Sequence, residues 1–154
     1  MVEALRSWAA LKGPPYVDFA TRFQRTQRAQ RTQRVKGGTD LVWHVVMMKP
    51  RADISRSERA EFAAAFERAI REIPTVRQVR IGKRVTHGTA YESGMPDSAD
   101  VLAAIEFDDV AGLQAYLRHP AHDEVGAMFG RLLSSALVYD FEVAGVEGLS
   151  TIVG

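Results

Sequence analysis

The chain has 154 residues, 46% of them hydrophobic and 25% charged, with a formal net charge of +1 and no cysteine. That length suits one domain around a single hydrophobic core, and the lack of thiols excludes disulfides, thiolate metal sites and a cysteine nucleophile. No apolar run approaches the ~20 residues of a membrane-spanning helix, and the N-terminus lacks the basic-then-apolar order of a secretory signal, so a cytoplasmic protein without membrane contact is expected.

Charge divides the chain at residue 40. Residues 1–40 hold eight Lys or Arg against three Asp or Glu, a balance of +5, while residues 41–154 hold twelve against sixteen, a balance of −4. In "RFQRTQRAQRTQR" the arginines recur every three residues, from Arg22 to Arg34. That spacing drifts around a helix and leaves only Phe23 and Val35 to bury, so residues 1–40 are expected to form a basic, disordered and dispensable extension. A phosphate-binding arm, a transit peptide and translated upstream sequence are the competing readings. Without an aromatic stacking series or a folded reader, nucleic acid is not an expected partner.

From Leu41 a folded domain is expected to run to residue 145, followed by a tail over 146–154. "LVWHVVMMK" is a nearly continuous apolar run of strand length, ended by Pro50, and reads as a strand covered on both faces. "SRSE", Ser55 to Glu58, has the capping-box pattern. Behind it Phe62, Phe66, Ala69, Ile70 and Ile73 form one helical stripe, which Pro74 stops. "VRQVRIGKRVT" sets Val79, Ile81 and Val85 against Arg80 and Arg84, a strand with one wet side. The loop that follows contains His87 beside Gly88, where solvent exposure is expected. "VLAAIEF", Val101 to Phe107, is a third strand. Asp108 and Asp109 open a helix with Val110, Leu113 and Leu117 on its apolar side.

After Pro120 a second helical stretch carries Val125, Met128, Phe129, Leu132 and Leu133, with Gly126 and Gly130 on one side to permit close packing. "LVYDFEV" closes the domain, Leu137, Tyr139, Phe141 and Val143 alternating with Asp140 and Glu142. The tail is expected to add an edge strand or to cross to a partner subunit. The order β-α-β-β-α-β is the split βαβ pattern of an α+β, ferredoxin-like sheet. Because the first strand is apolar on both faces, a second copy is expected to cover the open face, giving a homodimer.

The chemistry gathers in "AYLRHPAH", residues 115–122. Proline disfavours the helical conformation in the residue before it, so His119 should cap the helix that Pro120 begins and His122 should lie in its first turn. A spacing of three then does not place both imidazoles on one face, and no further ligand stands at metal-binding spacing, so no metal is expected. A helix N-terminus disfavours imidazolium and holds His122 neutral, as a general base requires. Tyr116 stands ready to donate to an oxyanion. An ordinary corner of the fold is the remaining alternative. No glycine-rich phosphate loop or Ser-His-Asp arrangement is visible.

"WHVVMMK", the helix ending "IP", "VRQVRIGK", "AAIEFDDVAGLQAYLRHPAH" and "LVYDFEV" together resemble the stress-responsive α/β-barrel (Dabb) family over about residues 42–143. The resemblance implies a ferredoxin-like chain that dimerises, sheet facing sheet, into a barrel. It also implies a pocket between sheet and helices, which in one member serves a cofactor-independent cyclase of a linear polyketide. On that match His122 is the catalytic histidine, Tyr116 its partner and His44 a pocket histidine. Val101 and Phe66 stand where that member carries a pocket histidine and a pocket tyrosine, which makes this lining more apolar, and His119 belongs to the same corner. Three functions follow as expectations: a homodimer binding a small apolar or aromatic oxygenated ligand, a cofactor-free cyclase or aldolase with His122 as base, or a structural stress oligomer.

Overall fold

The computed structural model describes residues 41–154, so the basic extension and Trp8 lie outside the described residues. Strand β1, Leu41–Pro50, is followed by helix α1, Arg56–Glu72, and strand β2, Gln78–Lys83. Strand β3, Val101–Phe107, leads into helices α2, Val110–Leu117, and α3, Pro120–Leu132. Strand β4, Leu133–Val143, completes an antiparallel sheet of order β2-β3-β1-β4. This is the ferredoxin-like α+β arrangement expected from the alternation of patterns.

Helices α1, α2 and α3 each start where their capping chemistry says they should. The Ser55 hydroxyl accepts from the Glu58 N–H at 3.2 Å, and the Glu58 carboxylate accepts from the Ser55 N–H at 2.9 Å, a closed capping box. Asp109 caps α2 by accepting from the Gly112 N–H at 2.7 Å. His119 caps α3 through Nδ1, which accepts from the Ala121 N–H at 3.2 Å, with Pro120 in the first helical position. Phe62, Phe66, Ala69 and Ile70 of α1 are buried against Val46 and Met48 of β1 and Ala103, Ile105 and Phe107 of β3. Ion pairs tie the rims of α1 and α3 together, Arg68 to Glu124 and Arg131 to Glu58 and Glu61.

Four expectations need correction. β2 stops at Lys83, and Val85 is 75% exposed instead of inward-facing. Its neighbour β3 begins at Val101, opposite Lys83, and beyond one more bond, from the Arg84 N–H to the Asp100 carbonyl at 2.8 Å, no ladder pair reaches Val85. Leu133 belongs to β4: its backbone is already extended, and helix passes into strand with no loop between. Beyond β4 the tail forms a short 3-10 turn, Val146–Gly148, and a one-turn helix, α4, Leu149–Val153, and adds no strand. Finally, a Cβ built on Gly126 or Gly130 would meet nothing within 4 Å, so neither glycine is required by close packing.

The register fixes which side chains share a face. Val42, His44, Val46 and Met48 point to the helices and are buried, whereas Trp43, Val45 and Met47 point to the opposite side. Trp43 lies opposite Phe141, Val45 opposite Tyr139 and Met47 opposite Leu137. The apolar parity of β4 therefore joins the outer face, where Trp43, Leu102, Tyr139 and Phe141 are between 37% and 50% exposed. Its polar parity, Asp140 and Glu142, lies level with His44 and Val42 on the helix side.

Candidate functional site

Three polar rings converge between sheet and helices. His44 comes from the centre of β1, Tyr116 from the last turn of α2 and His122 from the first turn of α3. Ring centroids stand 4.7 Å apart for Tyr116 and His122, 5.7 Å for His44 and Tyr116, and 6.5 Å for His44 and His122. Phe107, fully buried at the end of β3, supports Tyr116 from behind at 5.1 Å. The bend at Pro120 makes this meeting possible. By ending α2 and restarting the chain as α3, it turns Tyr116 and His122, six residues apart, toward the same space.

The rings border a cavity of about 230 Å³. Val46, Met48, Ala103 and Ile105 form its floor on the sheet, and Phe62, Phe66, Val125 and Phe129 close it from the helices. Gly126 and the half-exposed Val138 stand at its rim. The lining contains neither Lys nor Arg.

Each ring meets a different environment. His44 is buried, and its Nδ1 lies 2.7 Å from Asp140 Oδ1, the side chains being 6% and 46% exposed. A buried imidazole without a partner would cost about 1–3 kcal/mol, and the carboxylate supplies that partner. Accepting from Nδ1–H, Asp140 also fixes the tautomer and leaves Nε2 as the free nitrogen. Burial pushes the Tyr116 phenol well above its ordinary pKa, so it remains a hydrogen-bond donor at all physiological pH. His122 is shifted the other way. Burial and then the neighbouring His44 hold its pKa below 6.5, while Asp123 and the Leu117 carbonyl oppose the shift without reversing it. Its Nδ1 is buried with no hydrogen-bond partner formed. At neutral pH the cavity therefore offers an uncharged base beside an uncharged donor.

Of the residues singled out from sequence, His44, Tyr116, His122 and Phe66 meet at this cavity. Val101 does not. It borders a separate gap of about 20 Å³ with Ile81 and Leu133, divided from the main cavity by Met48, Phe62 and Phe66. His119 is spent on the helix cap and borders neither space. Asp140 belongs to the "DF" that marks the family resemblance, but the sequence assigns it no site role, because in isolation it reads as the wet side of an amphipathic strand. Its signal was the "YDF" pattern combined with the pairing of β4 to β1. His87 stays in the exposed loop, where it contacts Tyr91 and Thr89. Among the described residues no three His, Asp or Glu side chains gather as a metal-ligand set, and no helix is long and apolar enough to cross a membrane.

Comparison with known proteins places this architecture. The curated olivetolic acid cyclase of Cannabis sativa is 24% identical over 100 residues, which is 65% of this chain and 94% of that one. Among solved structures, a dimeric ferredoxin-like protein from Jannaschia is 25% identical with a TM-score of 0.55, over 67% of this chain and 99% of that one. Hydroxynitrile lyase from Passiflora edulis shares the fold at 14% identity, with a TM-score of 0.60 over 70% and 97% of the two chains. The model of the stress responsive A/B barrel domain matches residues 42–143, from the first residues of β1 to the last of β4, and the chain belongs to that family.

Proposed function

We propose that the chain is a homodimer that binds a hydrophobic, oxygenated small molecule in the cavity beside His44, Tyr116 and His122. One observation carries the reading: three polar rings converge on one wall of a cavity that is otherwise apolar. Such a lining rewards burial of hydrocarbon and orients a few oxygens. With no Lys or Arg in the lining, a carboxylate would be buried without a cation, which is costly. Neutral phenols and ketones suit the cavity better. The homodimer is supported by the apolar outer face of the sheet, where Trp43, Leu102, Tyr139 and Phe141 lie side by side, and by the dimeric state of structural neighbours.

A second reading, cofactor-independent acid–base chemistry of a cyclase or aldolase kind, is favoured by the Asp140–His44 hydrogen bond and the unpartnered Nδ1 of His122. Here neutral His122 removes a proton from the carbon beside a carbonyl, and the Tyr116 O–H donates to the oxygen on which charge develops. His44, oriented by Asp140, accepts at Nε2 from the O–H of a second, hydroxyl oxygen. The cyclase among the relatives makes ring closure the natural reaction for such an enolate.

The test uses 4-alkylphenols for binding by calorimetry, and deuterium exchange at the α-carbon of a 4-alkylacetophenone for base chemistry. Binding by the wild type that survives His122→Gln, with exchange never accelerated, supports a binding protein. Exchange accelerated by the wild type and abolished in a folded His122→Gln variant supports the enzyme. A large loss of thermal stability in that variant, with no ligand bound by the wild type, leaves the HPAH corner a structural feature only.

A further inference from the structure

We propose that the arginine repeat of residues 22–34, which lies outside the described residues, docks on the open strip between α3 and β4 of its own domain. β4, Leu133–Val143, is an edge strand, and its helix-side residues Val138, Asp140 and Glu142 are all exposed. The facing flank of α3 carries Asp123, Gly126 and Gly130, spaced three and four apart as one helical stripe and all exposed. Gly126 borders the cavity together with Val138, which turns this flank toward β4. A Cβ on either glycine would meet nothing within 4 Å, so the strip is open space and not packed surface. The other flank of α3 is occupied, Glu124 and Arg131 being paired with α1.

Charge selects the occupant. β4 contains no Lys or Arg, and the single arginine of α3, Arg131, is turned to Glu58 and Glu61. Asp123, Asp140 and Glu142 therefore face the strip with no Lys or Arg from either wall. Residues 1–40 carry a balance of +5 and the domain behind them −4. The two are joined beside the strip itself. Leu41 pairs with Val143, so the extension enters β1 next to Glu142, and Asp140 follows ~7 Å along the strand. Arg34 stands seven residues before Leu41, a reach of up to ~25 Å, and Arg31, Arg28 and Arg25 precede it at steps of three. Single exposed ion pairs are weak, but the tether holds the arginines at an effective concentration of about millimolar, and several pairs act together.

The absence of cysteine makes the test direct. A nitroxide attached to Ala29→Cys of the full chain leaves every arginine in place, and amide spectra read which residues it broadens. We expect the amides of Gly126, Val138, Asp140 and Glu142 to broaden at least threefold more than that of Arg80, on the opposite edge strand β2. The excess should vanish in about 1 M salt, where the screening length falls to ~3 Å. It should also vanish when Asp123→Lys and Glu142→Lys are combined. Arg25→Gln, Arg28→Gln and Arg31→Gln together should abolish it as well, with the folded domain left unaltered. No excess at the strip, or an excess that salt and both sets of variants leave unchanged, overturns the inference. A mixture of nitroxide-bearing chains with nitrogen-15 chains that lack the nitroxide should show no excess. Broadening of the strip in that mixture would assign it to the partner's extension and overturn docking on its own domain.

Discussion

The two faces of the sheet are built from alternate residues of the same strands, yet they are finished differently. Toward the helices, β1 presents Val42, His44, Val46 and Met48, all buried, and β4 presents Val138, Asp140 and Glu142, all exposed. Away from the helices, β1 presents Trp43, Val45 and Met47, and β4 sets Leu137, Tyr139 and Phe141 beside them. The helices therefore cover the middle of the sheet and leave its β4 edge open, which is where the cavity reaches solvent. The outer face is apolar across β1 and β4, and no helix of the described chain covers it. In the proposed reading one face holds a small molecule and the other is covered by a second copy. A monomer that keeps a contiguous apolar surface of this kind in water is the exception among soluble proteins.

Substitutions on either face can break that distinction. Phe66→Ala should have the largest effect. It removes the wall between the main cavity and the small gap beside Val101, and a loss of about 3–4 kcal/mol in urea unfolding is expected. Tyr139→Glu, on the outer face, should raise the dimer dissociation constant at least ~100-fold, about 2.7 kcal/mol, in sedimentation equilibrium. Helix-side variants should leave the mass unchanged. If Tyr139→Glu remains a dimer at micromolar concentration, the outer face is not the interface.

Smaller effects sharpen the helix side. Asp140→Ala leaves His44 Nδ1 without its partner, and because Asp140 is half-exposed, water reaches the gap and the cost should be near 1 kcal/mol. The His44 ring should lose its fixed tautomer in nitrogen-15 spectra. The smallest expected effect is a pH dependence from His122. Its folded pKa lies below the unfolded value of 6.5, so the unfolded chain binds the proton more readily. Stability is then complete above pH 6.5 and declines as pH falls through that value toward the folded pKa. His122→Gln should flatten this part of the profile in thermal melts.

Much of the fold was legible because it depends on local chemistry. The Ser55 box, the stripe from Phe62 to Ile73, the proline breaks and strand β3 each follow from residues close in sequence. The cap at His119 followed from the restriction that Pro120 imposes. What escaped depends on pairing across the sheet. Val85 continues the alternation of β2, but only the starting point of β3 decides where β2 ends. The face to which Tyr139 and Phe141 belong is set by the register of β4 on β1, and a single strand's alternation says that one side is apolar without saying which side carries the helices. Asp140 escaped for the same reason: its partner His44 is ninety-six positions away in sequence. The chemistry of the cavity was legible in "AYLRHPAH" and "WHVV", whereas its shape emerges only from the packing.

The central claim, a polar cluster tuned by burial to receive a ligand, is tested most directly by an NMR pH titration of the imidazole signals. The chain has four histidines, so single substitutions assign them. The titration would be run with and without 4-alkylphenol. The account predicts that His122 titrates clearly below 6.5 and that its titration moves when the phenol binds. A His122 that titrates at 6.5 and does not respond to the phenol would contradict it.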